Sequence, residues 1–407
     1  YSGSLRIRTE WIAGRWSFDN SITAGYTNEG GYAYRHYDPT TGTYADVAYN
    51  DPSGYQRLNI VEGFVAKYRG DNILLSSATS YQYLGDVMTL DQDFTPKSMF
   101  TMQQRQQEHT ITEELVLRNA DSSLRWQWLS GAFLFAKWLD MSSPVTFKED
   151  GINELIVGNI NKGLHTLFPN NNMHIGSDSF VIESNFHIPV YGAALYHQSS
   201  FEIGNWLLTA GIRFDLEYTT MHYHSYTTIP YCFDLTMTEF DDLYSEFKGE
   251  ERQLFYEILP KIAAQYNFGD SSAYATITRG YKSGGFNTQI FSDILQVKMM
   301  NDMLDQLGVE LDGVGGASYD SASATRYKPD TSWNFEVGAH VREIKGLNID
   351  ASLFWIECFD QQVTVLPQGN NTGRMMSNAA RARSFGAELS AHYAYEGFSI
   401  NADYGYT

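Results

Sequence analysis

The sequence predicts an all-β protein, an antiparallel up-and-down β-barrel that crosses a membrane with strands. Three observations predict it. Apolar and polar residues alternate in segment after segment, the segments are longer than ordinary globular strands, and short and long connections alternate strictly along the chain.

The alternation begins near the start, where Leu5, Ile7, Thr9 and Trp11 oppose Arg6, Arg8 and Glu10. Segments 72–90 and 104–118 alternate less cleanly. In "LRWQWLSGAFLFAKW", Trp128 and Trp138 lie on one face. At about 3.3 Å per residue and a 45° tilt they stand roughly 23 Å apart along a membrane normal, close to the apolar band of an outer-membrane barrel. The cleanest stretch is 206–218, "WLLTAGIRFDLEY". Trp206, Leu208, Ala210, Ile212, Phe214, Leu216 and Tyr218 share one face, and Arg213, Asp215 and Glu217 lie on the other. Segment 272–286 alternates loosely, and 333–342, 385–393 and 398–406 cleanly. Roughly 14 strand candidates result, each about 9–18 residues long, where globular strands run about 5–6.

The connections separate a membrane barrel from a soluble sandwich. Tight ones read "AGR" (13–15), "RGD" (69–71), "NADSS" (119–123), "EIGN" (202–205), "FGDS" (268–271), "EIKG" (343–346) and "YEG" (395–397). Between them fall long stretches near 27–55, 142–187, 224–250 and 287–330, with shorter ones near 91–103 and 367–375. Barrels sort loops in this way, with tight turns on the periplasmic side and long loops outside. The lipid-facing set is expected to include Trp206, Leu208, Ile212, Phe214, Trp333, Phe335, Val337 and Leu389. The lumenal set is expected to include Arg213, Asp215, Glu217, Glu336, His340 and Glu388.

Composition sets outer bounds. The 407 residues are 43% hydrophobic and 15% aromatic, with net charge −20. The negative balance argues against a nucleic-acid partner. Cys232 and Cys358 form no CxxC pattern, which leaves a disulfide undecided. No nucleophile elbow and no HExxH motif occurs, so neither enzymatic activity nor a cofactor is expected.

Several stretches carry a resemblance. "ITEELVLRN" (111–119), "VYGAALYHQSSFEIGNWLLTAGIRFDLEYTTMHYHS" (190–225), "RGYKSGGFNTQIFSDILQ" (279–296), "YKPDTSWNFEVGAH" (327–340), "ASLFWIECFDQQVTV" (351–365) and "ARARSFGAELSAHYAY" (380–395) occur in family order. Together they resemble the barrel of TonB-dependent outer-membrane receptors, most closely the iron-complex branch common in Bacteroidetes. The resemblance implies a barrel of about 22 strands around a plugged lumen. Residues 1–407 are then expected to be a partial barrel of about 14 strands, an open sheet whose edges lie near 4–12 and 398–407. The plug domain, its TonB box and the terminal strands fall outside it, roughly three strands before Tyr1 and five after Thr407. The implied function is active import of a scarce bulky nutrient across the outer membrane. A ferric siderophore or other iron complex leads, and vitamin B12 or an oligosaccharide is an alternative. Implied partners are the TonB–ExbB–ExbD complex, outer-membrane lipids and lipopolysaccharide, and a surface lipoprotein. A passive porin is the competing reading.

Ligand contacts are expected at the outer rim. In "RGYKSGGFN", Arg279 and Lys282 suit an anionic ligand, and Tyr281 and Phe286 suit stacking on it. The glycines there, Gly280, Gly284 and Gly285, equally suit a rim bend. His222 and His224 fall on one face of a strand, and imidazoles suit transition metals, but two ligands make no site. Tyr32 and Tyr34 lie in a Tyr/Gly-rich loop that suits sugars, chelates or peptides. Segment 234–251 reads as an acidic surface loop. Segment 292–308 reads as a helix with Ser292 as N-cap, Gly308 as stop, and methionines packed on neighbouring loops.

Overall fold

A computed structural model describes residues 1–31, 35, 37–91, 93, 95–308, 321–365 and 375–407. Fourteen strands pair in chain order, each antiparallel to the next. They are β1 (Ser2–Ala13), β2 (Trp16–Gly30), β3 (Gly54–Arg69), β4 (Ile73–Asp91), β5 (Phe100–Asn119), β6 (Trp126–Ser142), β7 (Ser179–Ile203), β8 (Trp206–Phe233), β9 (Asp241–Phe268), β10 (Ser271–Lys282), β11 (Asp330–Ile344), β12 (Leu347–Phe359), β13 (Arg381–Tyr395) and β14 (Phe398–Tyr406). Two short strands, Val145–Lys148 and Met173–Ile175, attach to the same sheet off this path. Among the described residues β1 pairs only with β2, and β14 only with β13. The all-β meander is thus the one the alternation predicts.

The tight turns all close one end. In the β13–β14 hairpin, Tyr395 pairs with Phe398, leaving two turn residues with positive φ, Glu396 at 42° and Gly397 at 87°. Both central residues of a type I′ turn need positive φ, which its twist matches to the strands. Ile203 pairs with Trp206 across Gly204, which has φ 62°.

The lipid face follows the expected parity. Trp206, Leu208, Ile212, Phe214, Phe335, Val337 and Leu389 are all exposed, and Trp333 is half-buried. Trp138 donates its indole N–H to the Tyr191 hydroxyl at 3.3 Å, forming one aromatic girdle. At the turn end, Trp126 stacks on Phe201 and stands beside Trp128. On the other face, Arg213 forms an ion pair with Asp215 at 2.7 Å and lies over the Tyr196 ring. Glu336, His340 and Glu388 line a lumenal concavity with Tyr274 and Asp350.

One expected loop is largely strand. Segment 224–250 is mostly the continuation of β8 and β9, joined by residues 234–240. Beyond Thr220 the polarity of β8 inverts. Met221, Ile229, Tyr231 and Phe233 now point inward and are buried, whereas His222 and His224 point outward. The acidic run 234–251 is therefore not a solvated loop over most of its length. In β9, Leu243 and Ser245 are buried inward while Glu246, Lys248 and Glu250 stand on the outer side.

The buried inner faces above the membrane close on helices. Helix α1 (Gly158–Leu167) buries Ile160 and Leu164, and α2 (Phe291–Leu307) buries Leu295, Met299 and Met303 in the same core as Phe147, Ile182, Ile229 and Tyr231. The C-cap of α2 is Gly308, with φ 67° and an N–H bonded to the Asp305 carbonyl. Its N-cap is Ile290 rather than Ser292, because a 3₁₀ turn at Thr288–Ile290 leads directly into the helix. Its methionines pack on the barrel wall as well as on loop residues. Cys232 and Cys358 are free thiols. Outside the membrane, the backbone N–H of Asn172 and the ring of His174 hold the Asp234 carboxyl below its ordinary range, clasping the β8–β9 turn to the preceding loop.

Candidate functional site

The segment after β10 decides the geometry of the lumen. Instead of leaving the barrel, residues 283–308 run across its interior. Gly284 allows the passage by close approach rather than by unusual φ: a Cβ there would lie 2.4 Å from the Tyr327 carbonyl oxygen and 2.8 Å from Phe255. A Cβ on Gly280 would meet nothing nearer than Ser332 Oγ at 3.4 Å, so that glycine is not needed for space. Side-chain amides clamp the crossing. Gln253 donates to the Gly285 carbonyl at 2.8 Å, and Gln362 donates to the Ser283 carbonyl at 2.8 Å. Buried Asn287 donates to the carbonyls of Ala324 and Met376 and accepts from the Met376 N–H.

Below this crossing lies a cavity of about 800 Å³. Its wall carries Gln82, Gln104, Gln106, Glu108, Lys137 and Glu217, and its ceiling carries Lys282, Ser283, Phe286 and Gln289. Lys137 stands 3.6 Å from Glu108, and Ser283 donates its hydroxyl to Glu217 at 2.9 Å. Among the described residues, Lys282 has no ion-pair partner, and it is exposed to this space. The surface therefore offers many uncharged donors and acceptors, the Lys137–Glu108 pair, the Glu217 carboxylate held by a hydroxyl, and the Lys282 cation. That combination can orient a polar ligand of small-molecule size, for which cavities of about 300–1,000 Å³ are usual.

The structure divides the sequence candidates. Lys282 and Phe286 line the cavity. Tyr281 lies within electrostatic reach of Arg213, Asp215 and Glu217 on the lumenal side. Arg279 is committed to the protein: it forms an ion pair with Glu257 at 2.8 Å and donates to the Ile258 carbonyl at 2.6 Å. His222 and His224 stand on the convex face, near Glu250 at 3.8 Å and Glu246 at 3.2 Å, and take no part in the lumen. Among the described residues, no group of three or more His, Cys, Asp or Glu side chains is placed to hold a metal ion. Tyr32 and Tyr34 lie outside the described residues. The wall glutamines went unnoticed in the sequence. Gln104 and Gln106 alternate with outward residues on β5, and that parity is the signal that finds them.

Comparison with known proteins agrees with this architecture. The family model described as "TonB dependent receptor-like, beta-barrel" matches residues 3–407. Among solved structures, the chain resembles the ferric yersiniabactin uptake receptor FyuA from Yersinia pestis, with 15% identity and a TM-score of 0.61 over 99% of this chain and 51% of that one. It also resembles the siderophore receptor PiuA from Acinetobacter baumannii, at 14% identity and TM-score 0.57 over 100% and 55%. A copper transporter, OprC, aligns at 11% identity and TM-score 0.51 over 99% and 60%. The chain thus spans a little over half the length of these structures. No curated protein matches the chain. Fourteen strands in unbroken antiparallel order, lipid-facing on one side and polar on the other, and a family match over nearly every residue lead to one assignment: the chain belongs to the TonB-dependent receptor family, as its outer-membrane β-barrel.

Proposed function

We propose that this barrel serves a ligand-binding importer that takes up a bulky nutrient using energy relayed by the TonB–ExbB–ExbD complex, and that it catalyses no reaction. The observation that carries the reading is the roof. Rings and methionines bind α2 to the inner wall, so the outer mouth over β7–β9 is filled with apolar side chains. A passive porin needs a continuous wet lumen. Here a cavity lined by both polar and apolar side chains sits beneath an apolar cover, which suits capture followed by a triggered opening.

An iron chelate is the leading ligand. Lys282 supplies an unpaired cation for an anionic chelate, and Phe286 supplies a ring beside it. A second reading has its own support. Gln82, Gln104, Gln106 and Gln289 face the same space, and amides suit a neutral, hydroxyl-rich ligand such as an oligosaccharide equally well. Uptake of a radiolabelled ferric chelate by cells expressing the receptor, with and without a protonophore, tests the proposal. Saturable uptake abolished by the protonophore is the expected result. Unsaturable uptake that survives it would establish a porin.

A further inference from the structure

The lipid-facing surface differs between two sectors of the barrel. Over β8 and β9 the outward positions between the girdles are apolar, as at Leu208, Ile212, Phe214, Leu254, Ile258 and Ile262, all exposed. Over β3–β5 they are not. Glu113 shares its side of β5 with Ile111 and Leu115, which are 44% and 47% exposed. Its register partner on β6 is Leu134, itself outward and exposed. Leu134 falls between Trp128 and Trp138 and only four residues short of Trp138. At about 3.3 Å per residue and a 45° tilt, Glu113 lies roughly 9 Å below the outer girdle, inside the apolar band.

The Glu113 carboxylate accepts from the hydroxyls of Ser77, at 2.6 Å, and Thr79. Glu62 lies on the same face of β3. It is exposed, pairs with Ile22 on one side and Tyr81 on the other, and accepts from Asn20 Nδ2 at 3.2 Å. Among the described residues neither carboxylate has a cationic partner. Hydroxyl and amide donors satisfy lone pairs but leave the charge uncompensated, and an ionisable group at membrane depth is costly unless something pairs with it.

We propose that the convex face of β3–β5 is an interface to a second outer-membrane protein, which lays a Lys- or Arg-bearing surface against Glu62 and Glu113. Charge selects this occupant. A second copy of the chain suits less well: Lys67, Arg118, Lys137 and Lys261 lie on the lumenal parity of their strands, and the outward cations Arg105, Lys248, Arg252, Arg381 and Arg383 stand nearer the loop ends than Glu62 and Glu113, the last four of them already ion-paired within the chain. Hydrocarbon offers no donor, and phosphorylated lipid headgroups sit at another depth and carry the wrong sign.

The test places a photo-crosslinking amino acid at Ile111, and at Phe214 as control, in the receptor in native outer membranes. The expected result is an adduct with a different protein from Ile111 and none from Phe214. Its crosslinked peptide should contain a Lys or Arg beside the link, and its yield should fall at least tenfold in Glu62→Gln/Glu113→Gln. Glu113→Leu separates a lost interface from a folding defect: heat-resistant barrel assembly is kept in pure lipid while the adduct disappears. Adducts with lipid alone, an adduct with a second copy of the receptor, or an unchanged yield in either variant would overturn the proposal.

Discussion

Replacing Phe291 with Ala should unfasten the roof without unfolding the barrel. Phe291 is fully buried at the start of α2. Its ring meets Phe186 edge-on at 5.0 Å, Tyr223 at 4.8 Å and Phe247 at 5.7 Å. Truncating a buried Phe costs about 3–5 kcal/mol, because the transfer energy of the ring is lost and a cavity remains. Three aromatic contacts of about 0.5–1.5 kcal/mol each are consistent with that range. The cost falls locally. Helix α2 is held to the wall through side chains, whereas the strands around it are joined by backbone ladders. An opening free energy lowered by about 3–4 kcal/mol speeds exchange from the opened state by roughly 100- to 1,000-fold. Hydrogen exchange followed by mass spectrometry reads this directly on peptides covering 288–308, with 206–218 as an internal reference. Unchanged exchange over α2 would refute the anchoring role of Phe291. Equal acceleration in 206–218 would show that roof and wall are one cooperative unit.

Arg279→Ala should lower barrel stability by about 1–3 kcal/mol, because it strands the mostly buried Glu257 carboxylate, whereas Lys282→Ala should leave thermal unfolding unchanged and weaken binding of an anionic chelate by roughly tenfold. Comparable affinity loss in both, with intact assembly, would place Arg279 back in the ligand site. Gly284→Ala should cost about 1–3 kcal/mol in the same melting assay, since its Cβ meets a carbonyl and a ring, and Gly280→Ala should be much milder. The clasp at Asp234 should respond to acid. Its carboxyl titrates below the ordinary range in the folded protein, so its contribution is complete above about pH 4 and is lost as pH falls through the lowered value. Exchange at the Asn172 amide should rise in that window, and Asp234→Asn should remove the dependence.

The strand order and the lipid face were legible because alternation and turn chemistry are local. Trp206 to Tyr218 and the Gly397 turn each declare themselves within a dozen residues. The helix at 291–307 was legible from its stop at Gly308. Cross-strand facts were not. Glu257 lies 22 positions before Arg279, so nothing in "RGYKSGGFN" shows that this cation is already taken. His222 and His224 are a different case. Counting on from Trp206 with the same parity places both outward, so the pattern contained the answer. The inversion of polarity beyond Thr220 hid it, because the inward partner changes there from water to the packed side chains of α2.

The lengths of the strands bear on how a solute arrives. Strands β8 and β9 each have 28 residues. At about 3.3 Å per residue and a 45° tilt they rise roughly 65 Å, against an apolar band of about 25 Å. Strands β10 and β12 have 12 and 13 residues and scarcely clear the membrane. Among the described residues the rim is therefore a high parapet on one flank and a low sill on the other. In the proposed importer, a large molecule approaching from outside would meet the ends of β8 and β9 before those of β10 and β12. On that reading, the 28-residue strands set how far from the membrane the first contact can begin.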